Sequence, residues 1–230
     1  DPYASLDPRQ RVGDMLGEPL AVHHLVSGRA EAEAEKKKLL RMVGLPEDAL
    51  SKFPHEFSGG QRQRLCIARA LAVRPKLLMC DECVSALDVS IQAQIVNLLM
   101  KLQREMDLTI VFVSHDLRVV RNMAAHVAVM YLGKVVEYAD NDSLFSHPAH
   151  PYTESLLSSV PSADPDAVNK PIVLKGDIPS PIQVPEGCSL HTRCWMARKE
   201  CSSITCSLEP CGEGHCSACP FRRVQKDRAV

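Results

Sequence analysis

Two apolar runs, each closed by polar residues, constrain this chain more than any other feature. Leu77-Leu78-Met79-Cys80 ends in Asp81 and Glu82, and Thr109-Ile110-Val111-Phe112-Val113 ends in Ser114 and His115. Neither run alternates polar with apolar residues, which is the texture of strands in a buried parallel sheet covered by helices. Between them, residues 89–106 place Ile91, Ile95, Leu98, Leu99 and Leu102 at helical spacing, the stripe of an amphipathic helix. Strand, helix, strand predicts two parallel strands joined by a crossover, and the fold class is α/β. Both polar ends then lie at the carboxyl edge of the sheet, where such sheets bind ligands.

Other segments follow by the same reading. Residues 29–43 read as a helix with a solvated charged face. Glu33 precedes Lys37 by four positions, the favourable order for an ion pair, and Gly44 stops the helix. Residues 54–60 read as a loop, followed by a helix to about residue 73 that aligns Leu65, Ala68, Arg69 and Leu71. Residues 116–123 form a short helix, and 127–131 and 134–138 a hairpin turning at Leu132-Gly133. Residues 1–19 read as turn-rich, broken by Pro2, Pro8 and Gly13. From Pro161 the texture changes, because prolines at 161, 165, 171, 179, 181 and 185 interrupt any long element. Three segments are expected: 1–60, 61–160 and an irregular cysteine-rich extension at 161–230.

With 45% hydrophobic but only 4% aromatic residues, the core is aliphatic, and a net charge of -1 gives no case for nucleic acid or an acidic membrane surface. No apolar run approaches the ~18 residues of a membrane span, and no secretory signal is visible. The chain opens at Asp1 in mid-pattern, as a fragment would. Of ten cysteines, Cys66, Cys80 and Cys83 lie early and seven fall between Cys188 and Cys219. Without a secretory signal, such a cluster reads as a metal site before a disulfide framework, and an odd number prevents complete pairing. Cys216-x2-Cys219 has the spacing of a zinc ligand pair. Cys66 and Cys80 read as buried apolar residues.

The strand-end residues suit phosphate chemistry. Asp81 can hold magnesium through its waters, Glu82 can orient an attacking water, and His115 can bond the terminal phosphate or that water. Ser58-Gly59-Gly60 opens a helix, where close backbone approach and free N–H groups attract phosphate oxygens. Taken separately, adjacent acids, one histidine and a Ser-Gly-Gly helix start each have an ordinary structural reading. Their order and spacing, with Gln61-Arg62-Gln63-Arg64 following the glycines, make the functional one. No Gly-x4-Gly-Lys-Ser/Thr phosphate loop occurs in the chain.

These residues resemble the ATP-binding-cassette ATPases. Ser58-Gly59-Gly60-Gln61 is similar to the family signature, with Phe57 where leucine is commonest. The strand ending at Asp81 resembles the Walker B strand, Glu82 the catalytic glutamate, Ser85-Ala86-Leu87-Asp88 the D-loop and His115 the switch histidine. Asp1-Pro2-Tyr3-Ala4-Ser5-Leu6-Asp7-Pro8-Arg9 resembles the stretch after the Q-loop in oligopeptide and dipeptide importers. His150-Pro151-Tyr152-Thr153 and Gly176-Asp177-Ile178-Pro179-Ser180-Pro181 resemble the extension of the same subfamily. Cys83 departs from that pattern, standing where proline is usual; it reads as a tolerated substitution.

The resemblance implies part of a P-loop NTPase-like sheet with a helical subdomain, acting on ATP and Mg2+. It implies a head-to-tail ATPase dimer in which Ser58, Gly59, Gly60 and Gln61 face the partner's ATP. Permease subunits and, indirectly, an extracytoplasmic solute-binding protein complete an importer, and nucleic acid is not a partner. The location implied is peripheral, on the cytoplasmic face of the cell membrane. Lacking the phosphate loop, the chain alone is expected to bind nucleotide weakly and hydrolyse none, with apolar sheet edges exposed. The tail resembles a four-cysteine pattern that implies a 4Fe–4S cluster on Cys188, Cys194, Cys201 and Cys219, with zinc the rival and disulfides third. Alternatives for the chain are a non-hydrolysing partner that supplies only a signature surface, and a cassette ATPase outside transport.

Overall fold

A computed structural model of the chain describes residues 4–161 and 170–222. Asp1, Pro2 and Tyr3, the head of the importer-like stretch, and Pro165 lie outside the described residues. The chain packs as two compact units, residues 1–119 and 120–230.

The first unit begins with three α-helices: α1 (Val12–Val22), α2 (Arg29–Met42) and α3 (Gly59–Leu71). Helix α1 overturns the turn-rich reading of residues 1–19. Gly13 and Pro19 both lie inside it. Burial of Val12, Met15, Leu16 and Leu20 outweighs their poor propensity. Gly13 has a specific reason to be glycine, since a Cβ there would sit 2.9 Å from the Leu50 carbonyl oxygen. Helix α2 keeps its predicted place, but its ion pairing differs. Glu33 meets Lys36 at 2.8 Å, while Lys37 reaches Glu47 at 3.3 Å. From α3, Arg64 donates to the Val43 carbonyl at the end of α2, at 2.7 Å.

The predicted strand–helix–strand follows: β1 (Leu77–Asp81), α4 (Val89–Met106) and β2 (Thr109–Val113). The two strands pair in parallel from Leu77↔Thr109 to Asp81↔Val113. Their burial alternates. Leu78 and Cys80 are buried, whereas Leu77 and Met79 are 55% and 68% exposed, and Val111 and Val113 are exposed beside them. One face of this two-stranded sheet is therefore open apolar surface. Helix α5 (Leu117–Met123) follows, its first turn held by the Asp116 carboxylate accepting from the Arg118 amide at 2.9 Å.

The second unit is built on an antiparallel sheet in the order β3-β4-β6-β5. Strands β3 (His126–Tyr131) and β4 (Lys134–Asp140) form the predicted hairpin. Its turn residues Leu132 and Gly133 have φ of 45° and 76°, the double left-handed geometry that matches strand twist in two-residue hairpins. The extension is less irregular than its prolines imply. Strands β5 (Glu209–Gly212) and β6 (His215–Ser217) pair with each other, and β6 pairs with β4. The compact units therefore differ from the three segments drawn at 60 and 160, because the cysteine-rich tail completes the sheet begun by the hairpin. Val127, Val129, Tyr131, Val136, Ala139, Leu144, Leu190 and Ala218 form its core. Helices α6 (Asn141–Ser146) and α7 (Pro151–Ser158), not separated in the sequence reading, connect hairpin and tail.

Candidate functional site

The carboxyl ends of β1 and β2 bring the two predicted catalytic residues together. The Glu82 amide donates to the Val113 carbonyl at 3.0 Å, continuing the parallel ladder one residue past β1. Glu82 then turns into the left-handed region at φ 45°, and its carbonyl accepts from the Ser85 amide and hydroxyl at 3.1 and 2.9 Å. Glutamate seldom adopts this conformation, and such positions cluster at functional sites. Its carboxylate points across the strand ends, where Oε1 lies 3.3 Å from His115 Nδ1. Both side chains are largely exposed, so a ligand can reach them. Asp81 ends β1 beside them and is also exposed. The arrangement can hold and orient a water next to a phosphate, with metal-binding oxygen adjacent.

The glycine-rich start of α3 is a second feature of the same unit. Ser58 caps the helix reciprocally: its amide donates to Gln61 Oε1 at 3.0 Å, and its hydroxyl accepts from the Gln61 amide at 3.4 Å. Gly60 packs so tightly on Ile91 of α4 that a Cβ would lie 2.5 Å from Cγ2. Asp88 caps α4 by accepting from the Ile91 amide at 3.0 Å. Ser58 and Gln61 are exposed while Gly60 is buried. The outward groups at this helix start are therefore available to a ligand, and the glycine serves helix packing.

Two thiols bracket the acids. Cys80 is buried on β1 and Cys83 is half-buried in the turn after Glu82. The neighbouring Cys80 holds the Cys83 thiol below its ordinary range, and Cys83 together with burial raises that of Cys80.

In the second unit, Cys188, Cys194, Cys201 and Cys219, the four predicted ligands, line one cavity together with Cys206. Backbone bonds fix the ring: the Cys188 amide donates to the Cys201 carbonyl at 2.8 Å, and the Cys194 amide to Leu190 at 2.9 Å. Gly187 has φ 72°, and a Cβ there would lie 2.5 Å from the Cys201 carbonyl oxygen. Burial raises the Cys194 and Cys219 thiols, and burial with the nearby Cys188 pushes Cys206 up to about 12. A cation in the cavity would reverse that penalty. Among the described residues, no three His, Cys, Asp or Glu side chains are grouped so as to hold a metal ion. Zinc needs such convergence. A 4Fe–4S cluster likewise needs four thiolates turned toward one centre. Cys211 and Cys216 are not among the lining residues, although Cys216 belonged to the finger-like pair.

One cluster went unread in the sequence. The Glu137 carboxylate is fully buried and accepts from the Ala149 and His150 amides at 2.6 and 2.9 Å, and from His215 Nε2 at 2.6 Å. Burial opposes its charge, but the hydrogen bonds from His215 and the two amides prevail and hold it below the ordinary carboxyl range. The His150 ring caps α7, with Nδ1 accepting from the Tyr152 amide at 3.2 Å. Burial lowers His150 from 6.5 to about 4.

Parallel strand ends carrying an acid pair and a histidine, with a Ser-Gly-Gly helix start, are the arrangement of the ATP-binding-cassette family. The comparisons with known proteins agree. The family described as ABC transporter matches residues 3–85, and that described as the C-terminal region of oligopeptide/dipeptide transporters matches 136–201. The oligopeptide transport ATP-binding protein OppF of Escherichia coli K12 is 51% identical over 91% of this chain and 63% of its own length. A Brucella ovis protein named as a peptide import ATP-binding protein is 48% identical over 95% of this chain and 69% of its own. A dimeric post-hydrolysis structure of the ATP-binding cassette MJ0796, bound to ADP and Pi, matches with a TM-score of 0.53 at 31% identity, over 59% of each chain. The chain belongs to the ABC-transporter ATP-binding proteins, in their oligopeptide/dipeptide branch. It spans about two thirds of the length of the curated relatives it matches.

Proposed function

We propose that this chain is an energy-coupling subunit of an ABC importer for peptides or similar small solutes, and that it hydrolyses ATP in the assembled transporter. The contact between Glu82 and His115 at the ends of two parallel strands carries this reading. Glu82 orients the attacking water and accepts its proton. His115 holds the Glu82 carboxylate and meets the terminal phosphate, and Asp81 holds Mg2+ through water. Ser58, Gly59, Gly60 and Gln61 offer their outward groups to ATP on a second ATPase subunit, and Asp88 caps the neighbouring helix at the same junction. A phosphate loop, which these 230 residues do not contain, grips the other side of each nucleotide.

The partners proposed are that second ATPase subunit, permease subunits in the membrane and, through them, a solute-binding protein. No helix among the described residues is long and apolar enough to cross a membrane; peripheral attachment at the cytoplasmic face is part of the importer reading. The cysteine cavity supports a 4Fe–4S cluster held by Cys188, Cys194, Cys201 and Cys219, whose chemistry would be to replace clustered, costly thiols with metal–sulfur bonds that order the tail. Anaerobic purification should then give a brown protein with broad visible absorbance; a colourless protein containing zinc would reject the cluster.

The central test is Glu82→Gln in the assembled transporter. Loss of the base should slow ATP turnover by at least ~10²-fold, while nucleotide still binds. Near wild-type turnover would take Glu82 out of this role and favour the non-hydrolysing alternative, in which the chain supplies only a signature surface.

A further inference from the structure

Glu82 stands at φ 45°, and a left-handed residue of this size persists only where its surroundings over-determine it. Upstream, its amide is bonded to the Val113 carbonyl of β2. Downstream, the restraint passes through the turn over residues 82–87. The Ser85 amide and hydroxyl bond the Glu82 carbonyl, and the Leu87 amide bonds the Val84 carbonyl at 3.2 Å. Those bonds shape the turn without fastening it to anything beyond itself. Gln92 does fasten it. From the first turn of α4, its Nε2 donates to the Val84 carbonyl at 2.9 Å. The partner is a carbonyl oxygen, so the group that faces it is the donating NH2 of the side-chain amide.

We propose that Gln92 is a positioning residue for ATP hydrolysis: it holds the turn after Glu82 so that the Glu82 carboxylate stays at the strand ends beside His115. The effect on hydrolysis rests on the ATPase reading, whereas the hold on the turn does not. Gln92 is a firm anchor. Its own amide bonds the Asp88 carbonyl at 2.8 Å, and the Asp88 carboxylate caps the same helix end through the Ile91 amide. Ile91, next to it, fills the space against Gly60 of α3. On the other side of the bond Val84 is buried. Without the Gln92 donor its carbonyl keeps only the Leu87 amide among the described residues, and water has poor access to take the empty place.

The consequence falls on Glu82 because little else fixes its side chain. Glu82 and His115 are both largely exposed, so packing does not set their 3.3 Å contact. The backbone sets it, through the left-handed turn. Once the turn is released from α4, Glu82 is free to relax toward ordinary φ, which swings the carboxylate away from His115. A misplacement of about 1 Å can cost ~10²-fold in rate, and a loss of that order is expected.

The experiment compares wild type, Gln92→Met, Glu82→Gln and the double variant in the assembled transporter. Methionine keeps the unbranched shape of glutamine and lacks the donor. Turnover of Gln92→Met at saturating ATP should fall ~10²-fold, with the KM for ATP unchanged, because Gln92 acts on the turn. In the Glu82→Gln background the same substitution should cost nothing more, since the group it positions is already gone. A smaller folded fraction would instead multiply the two losses. Hydrogen exchange read by mass spectrometry gives a second measure: the Ser85 and Leu87 amides should exchange faster in Gln92→Met. Wild-type turnover in Gln92→Met overturns the proposal. So does a full further loss in the double variant, or unchanged exchange over residues 83–88. Absent turnover in wild type would be a failure of the ATPase reading, and the exchange would still decide whether Gln92 holds the turn.

Discussion

Glu137 has no access to water, and its charge survives only because three donors surround it. Removing it would strand the His215 ring and two amides in the interior. Glu137→Ala is therefore expected to destabilise the second unit by ~3–5 kcal/mol, with Glu137→Gln milder because it retains an acceptor oxygen. Thermal melting followed by the single Trp195 would measure both; equal stability of Glu137→Ala and wild type would refute the role. Nothing near Glu137 in the sequence marks it, since its partner His215 lies 78 positions away. Glu82 and His115 are also far apart, yet they were legible, because each closes an apolar strand and parallel pairing brings strand ends together. The four cysteines came from resemblance to a family pattern, which leaves out Cys206, whose approach to Cys188 depends on how the tail folds back.

Helices and strands were readable where a single pattern dominated. The stripe on α4 and the apolar runs of β1 and β2 fall at the predicted positions, and the Leu132-Gly133 hairpin turns where expected. Helix α1 was hidden because Gly13 and Pro19 argue locally against a helix, while buried contacts of Val12, Met15, Leu16 and Leu20 argue for it. Local propensity is worth about 1 kcal/mol for glycine and about 3 for proline, which four buried side chains exceed. Strands β5 and β6 were hidden for a different reason. They are short, they include Pro210 and Cys216, and they become strands by pairing with each other and with β4. Isolated short hairpins are marginal in water, so their existence belongs to the sheet they join.

The two units should respond unequally to acid. Among the described residues, the buried carboxyl and imidazole side chains, Glu137, His150 and His215, all lie in residues 120–230. His150 is lowered from 6.5 to about 4 in the fold, so the unfolded chain binds its proton first. Its contribution is complete above pH 6.5 and declines as pH falls toward 4, by ~3 kcal/mol. Glu137, held below its ordinary 4.5, withdraws further stability as pH drops through its folded value. Trp195 fluorescence should accordingly report unfolding of the second unit at a higher pH than the loss of helical circular dichroism; coincident transitions would contradict this. The amino-acid order was enough to determine the α/β class, the strand–helix–strand core and the acids at its edge, because hydrophobic period and strand-end chemistry are local properties. Folding in space was needed to settle which distant groups meet: Glu137 with His215, and five cysteines around one cavity. Those encounters depend on chain reversals and sheet pairings whose energies come from contacts between segments.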